Sequence, residues 1–115
     1  MLQQGAILDL PVANVAEQGM LGITSVGSLV YLYYTESDHD GGSPIANRIY
    51  KYDWDGTTLV NPVLLKTLTA KNTYHNGGAM TNFEGSVYAV IGDNGNYGVL
   101  QNRNSGGIND TSVIL

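Results

Sequence analysis

Cysteine is absent from this chain, which removes disulfides and thiolate metal sites and leaves the redox compartment open. Basic residues are few. Five Lys and Arg stand against ten Asp and Glu, a formal net charge of −5, and that balance argues against a nucleic-acid partner or an anionic membrane surface. No apolar run approaches the roughly 18 residues that a membrane span requires. The opening residues, Met1-Leu2-Gln3-Gln4-Gly5, lack the basic and apolar regions of a signal peptide. Helical periodicity is missing throughout.

The pattern that is present is that of strands. With 115 residues there is length for one small domain and its core. Eight tyrosines, fifteen glycines and many Val, Ile and Thr residues describe a β-rich chain with tight turns. Val30–Thr35 and Arg48–Asp53 are runs of strand formers bounded by turn residues, and Ser86–Ile91 is a third. Asp55-Gly56 after Trp54 predicts a hairpin turn, because glycine accepts the positive φ such turns need, with Leu64–Leu68 as the returning strand.

These strands echo one another. Ile7-Leu8 recurs as Leu64-Leu65, Gly22 as Ala79, Thr24 as Thr81, Val26 as Phe83 and Val30-Tyr31 as Val87-Tyr88, all at the offset of 57 that separates residue 7 from residue 64. Each repeat reads as strand, polar loop, small-residue strand, tight turn, tyrosine-bearing strand and hairpin. That order suits a four-stranded β-propeller blade of roughly 40 to 50 residues with one enlarged loop. Rings use roughly four to eight blades, so the expectation is an all-β partial propeller of about two blades over residues 1–115, cut from a longer protein. Ser112-Val113-Ile114-Leu115 reads as a strand stopped in mid-course. The competing architecture is a small β-sandwich, or an assembler whose open edges pair between copies.

Chemistry concentrates at two loops. Tyr74-His75-Asn76-Gly77-Gly78 is joined through the strand Ser86–Ile91 to Gly92-Asp93-Asn94-Gly95. A strand that returns the chain to its starting edge brings the imidazole of His75 to the carboxylate of Asp93. A histidine oriented by a carboxylate is the commonest general base. Alone, each loop also reads as an ordinary turn, since Asp, Asn and Gly dominate turns through local hydrogen bonding.

In order along the chain stand Glu17-Gln18-Gly19-Met20-Leu21-Gly22-Ile23, Val30–Thr35, Arg48-Ile49-Tyr50-Lys51-Tyr52, His75-Asn76-Gly77-Gly78, Gly92-Asp93-Asn94-Gly95-Asn96 and Gln101-Asn102. With these fragments the chain resembles soluble quinoprotein glucose dehydrogenase and the related glucose/sorbosone (aldose sugar) dehydrogenases, from about Ile7 to Leu115, as the first third of a six-bladed propeller. The resemblance implies a periplasmic or secreted oxidoreductase. Its cofactor would be pyrroloquinoline quinone (PQQ), bound with calcium on the top face, and it would oxidise an aldose at the anomeric carbon. Carried over by position, His75 is the base that removes the hydroxyl proton and Asp93 its orienting partner. Glu17, with Gln18 as a rival by one residue, lines the sugar and quinone pocket, and Gln101 and Asn102 lie at its rim. Gly77 and Gly78 permit close backbone approach and bare the pocket floor for a flat cofactor.

Two departures from that family bear on activity. A quinone with three carboxylates needs cations, yet Arg48, Lys51, Lys66, Lys71 and Arg103 match none of the family's cofactor-binding basic residues, which lie in later blades, as do most calcium ligands. Asn104–Thr111 also replaces a Leu-Gly-Lys strand by a looser loop. Relatives such as hedgehog-interacting proteins keep this propeller as a binding module, and that reading stays open beside the enzyme and the self-assembling fragment.

The remaining polar features read as structural. Ser37-Asp38-His39-Asp40-Gly41-Gly42 lacks the ligand series of a calcium loop and is expected as an exposed inter-strand loop. Asn109-Asp110-Thr111 has the form of a glycosylation sequon. Tyr31, Tyr33, Tyr34, Tyr50 and Tyr52 are expected as packing side chains.

Overall fold

A computed structural model describes residue 2, residues 4–95 and residues 110–115. It is all-β, with two antiparallel sheets and no helix among the described residues. Strands β1 (Met20–Val26), β2 (Leu29–Glu36), β3 (Ala46–Trp54) and β4 (Leu59–Leu68) form a meander in sequence order. Strands β5 (Gly77–Phe83), β6 (Ser86–Ile91) and β7 (Val113–Ile114) form the second.

The repeat is real in space. Met20–Val26 and Gly77–Phe83, and the starts of β2 and β6 at Leu29 and Ser86, keep the offset of 57. Tight turns at Gly27 (φ 59°) and Gly85 (φ 81°) join each pair. Its first step fails, however: Ile7-Leu8 is not a strand, although Leu64-Leu65 lies within β4. Ile7 instead presents its carbonyl to the Leu59 amide and the Thr58 hydroxyl. Ile7, Leu8, Leu10 and Val12 pack on Leu32, Tyr34, Tyr52 and Leu59, so burial was the reason for their apolar character.

The Asp55 turn is longer than two residues. β4 returns at Leu59, and Asp55 Oδ1 accepts the amides of Thr57 and Thr58, both at 2.8 Å, so the carboxylate closes the loop that Gly56 (φ 98°) turns. β4 carries Pro62 and has β3 as its neighbour on one side only, the edge position where a missing amide donor costs no ladder bond.

Alternation along the strands sends neighbouring side chains to opposite faces. Leu32 and Tyr34 face the N-terminal segment, whereas Tyr33 joins Ile49, Leu68, Ala89 and Ile91 between the sheets. Tyr34 stacks on Tyr50 with ring centroids 5.5 Å apart. Residues 37–45 connect β2 to β3 as an inter-strand loop whose tip, Asp38 to Gly41, is exposed. His39 pairs there with Asp38, two side chains largely in solvent.

The sheets approach most closely through β1 and β5. A Cβ on Gly78 would lie 2.6 Å from Leu21 Cβ, so glycine lets two backbones meet. Farther out they diverge around an apolar cleft of about 350 Å³ between Tyr31, Ile49 and Leu65 on one side and Met80, Val87 and Ala89 on the other.

Candidate functional site

His75 is the last residue but one of the segment between β4 and β5, and Asp93 follows β6 by two residues. Antiparallel pairing of β5 with β6, Gly77 opposite Ile91, returns the chain to where it started. Two backbone bonds then tie the loops together. Asn94 N–H donates to the His75 carbonyl at 3.0 Å and Gly92 N–H to the Asn76 carbonyl at 3.4 Å. Gly92 is obligatory here, since a Cβ would fall 1.9 Å from the His75 carbonyl oxygen.

His75 itself adopts φ 61°, a conformation uncommon for a residue with a side chain. It presents the carbonyl to Asn94 and the amide to Glu17 Oε2, 2.5 Å away. The imidazole is thereby laid against Asp93, with Nδ1 2.9 Å from Oδ1. Asp93 Oδ1 also accepts the Gly95 amide at 3.0 Å, which fixes the carboxylate before the ring reaches it. A carboxylate can only accept, so Nδ1 of the neutral ring carries the proton and Nε2 keeps a lone pair. The His75 side chain is 55% exposed and that of Asp93 19%, a partly screened acid holding an open base.

The first sheet repeats this frame without a His–Asp pair. The Thr35 amide donates to the Gly19 carbonyl at 2.9 Å, as Gly92 does to Asn76 one repeat later. Gln18 and Glu36 occupy the places of His75 and Asp93. Gln18 is buried, its amide reaching the Asn72 carbonyl at 3.5 Å, and Glu36 is turned to Arg48 and Tyr50.

Glu17 and Gln18 differ in placement. Glu17 is exposed and accepts the His75 amide, whereas Gln18 is buried. Gly77 and Gly78 permit close backbone approach: a Cβ on either would strike the Val90 carbonyl or Leu21. Gln101 and Asn102 lie outside the described residues.

Beneath the pair runs a polar layer that the loop motifs did not reveal. Asn47, Asn76, Asn94 and Thr35 are all buried. Asn47 Nδ2 faces Asn76 Oδ1 at 2.8 Å, the Thr69 carbonyl at 3.1 Å and Asn94 Oδ1 at 3.3 Å, while its Oδ1 accepts the Thr35 hydroxyl at 2.7 Å. The Tyr33 hydroxyl donates to the Asn76 carbonyl at 3.0 Å, and burial pushes its ionisation well above the ordinary tyrosine range against an opposing hydrogen bond from Asn47. The one sequence signal was that an asparagine directly follows both His75 and Asp93.

What the arrangement can do is accept a proton. A hydroxyl brought to Nε2 would lose its proton to the ring, and Asp93 would stabilise the resulting imidazolium. For a tricarboxylate quinone the described residues do not suffice. Arg48 is engaged by Glu36 and Lys66 by Asp110, and Glu17 and Asp93 add negative charge beside His75. Lys71 is the one described cation on the segment that carries His75. No group of three or more His, Cys, Asp or Glu that could hold a metal ion occurs among the described residues. The apolar cleft contains neither member of the pair.

Compared with protein-family models, curated proteins and solved structures, the chain matches none. No helix of the described residues is long and apolar enough to cross a membrane.

Proposed function

We propose that the His75–Asp93 pair is the general base of a sugar dehydrogenase built on a β-propeller, of which these residues form about two blades. The observation that carries this reading is the 2.9 Å contact between Nδ1 and a carboxylate that a backbone amide already holds, in a His75 side chain that is 55% exposed. The propeller is supported by the repeat of 57, by the wedge-shaped approach of the sheets, and by the outer face of the second sheet. There Phe83, Tyr88, Val90 and Ile114 stand exposed, as they would where a further blade packs.

In this reading the substrate is a small polyhydroxylated ring whose reacting hydroxyl sits over Nε2, with Glu17 beside it as a hydrogen-bond acceptor. The PQQ and calcium that the resemblance implies would be held by groups beyond those described. In the protein that carries these residues, His75→Ala is expected to lower sugar-dependent dye reduction by about 10²- to 10⁴-fold. Retention of most of the turnover would reject the assignment.

A second reading is a propeller that binds without redox chemistry. It is favoured by the engagement of Arg48 and Lys66 in ion pairs. Added PQQ and calcium raise the melting temperature if the enzyme reading holds and leave it unmoved if the binding module is correct.

A further inference from the structure

We propose that Asn47, a buried residue of β3 in the other sheet, is the positioning residue for the His75–Asp93 pair; the inference rests on the general-base reading above. Its amide orientation is determined by its partners. The Thr35 hydroxyl donates to Oδ1 at 2.7 Å, and Nδ2 faces three oxygens that can only accept. Two of those belong to Asn76 and Asn94, the residues directly behind the base and directly behind its carboxylate. One side chain therefore holds both loops from below.

The hold is passed on through the backbone. Asn76 is fixed a second time by its side-chain bond to the Thr73 carbonyl at 3.2 Å and a third time by the Tyr33 hydroxyl at its own carbonyl. Asn94, also in a left-handed conformation (φ 49°), donates its amide to the His75 carbonyl. With these three points set, His75 keeps its own left-handed φ and Nδ1 of its ring stays 2.9 Å from Asp93 Oδ1. The imidazole's hydrogen bond goes to Asp93, that of the Thr35 hydroxyl goes to Asn47, and those of Asn47 go to the loops behind the ring, so the hold passes through the loops.

A merely structural role for Asn47 would move stability and nothing else. The ring tautomer separates the two roles, because the partner of one nitrogen decides where the neutral ring carries its proton. Nitrogen-detected NMR of His75 in the 115-residue chain is expected to show mainly the Nδ1–H form. Asn47→Leu removes the donor at similar volume and is expected to lower the ratio of Nδ1–H to Nε2–H by roughly tenfold, the scale of a lost buried hydrogen bond. Thr35→Val, which removes only the hydroxyl behind Asn47, is expected to lower it severalfold. In the protein that turns over sugar, kcat falls in step and KM changes little.

A folded Asn47→Leu chain with an unaltered tautomer ratio overturns the proposal, as does a wild-type ring that is mainly Nε2–H. If Asn47→Leu fails to fold, Thr35→Val decides in the same way. Absence of sugar oxidation together with a shifted tautomer would reject the dehydrogenase and leave the positioning role standing.

Discussion

A Cβ placed on Gly22 would stand 1.8 Å from the carbonyl oxygen of Gly78. Through this contact β1 and β5 bring the two sheets together, and the obstacle is backbone, which cannot rotate aside. Gly22→Ala is therefore expected to destabilise the chain by about 1–3 kcal/mol or to force the sheets apart. Gly27, whose position is open, should accept Asn at a cost below about 1 kcal/mol, since Asn tolerates the left-handed turn. Urea unfolding of both variants checks the contrast. Equal midpoints would mean that the sheets do not meet here.

Asp93→Asn keeps the shape beside His75 but replaces an obligate acceptor by an amide that can turn its donor toward Nδ1. The proposed base would then hold its proton on the wrong nitrogen. A fall in kcat of about 10²-fold or more with little change in KM is expected, read from initial rates across sugar concentrations. Unchanged kcat would remove Asp93 from the mechanism.

Alkaline stability should reflect the tyrosines. Burial raises the ionisation of Tyr33, Tyr34 and Tyr52 above the ordinary value of 10.0, helped for Tyr34 by the nearby Tyr52, Tyr50 and Glu36. With the folded value raised, the native state is favoured in full below pH 10.0, and stability falls above it as the unfolded chain loses protons that the folded chain keeps. Absorbance titration should show these rings ionising only as the chain unfolds. A smooth titration of Tyr33, Tyr34 and Tyr52 near the ordinary value of 10.0, with the fold intact, would contradict the packing.

Acid stability has the opposite sign at one turn. The Thr58 and Thr57 amides hold Asp55 below the usual carboxylate value, so their stabilisation is present above that value and is lost as pH falls through the lowered one. Asp55→Asn should flatten the acid limb of the stability curve, followed by circular dichroism from neutral pH downward.

The outer face of the second sheet carries Phe83, Tyr88, Val90 and Ile114 in the open. The isolated 115-residue chain is expected to self-associate through it at micromolar concentration, and Val90→Lys with Ile114→Lys to restore the monomer mass on size exclusion. A wild-type chain that is monomeric at all concentrations would show that the face tolerates water.

The amino-acid sequence by itself determined the strands, because alternation and turn residues act locally: β2, β3 and β6 lie where their runs of Tyr, Val and Ile predicted, to within two residues. It also determined that His75 and Asp93 meet, since the hairpin between them has a length set by the chain. Tertiary structure alone decided that Gln18 is buried while its neighbour Glu17 is exposed, because both lie in the turn before β1, where no strand alternation assigns a side and only packing does. It alone made Ile7 and Leu8 an irregular cover rather than a strand, since their apolar character answers burial on β2 to β4 and not pairing. The layer joining Asn47 to Asn76 and Asn94 spans 29 and 47 residues and was invisible for the same reason: which buried polar groups satisfy one another depends on which strands the fold stacks.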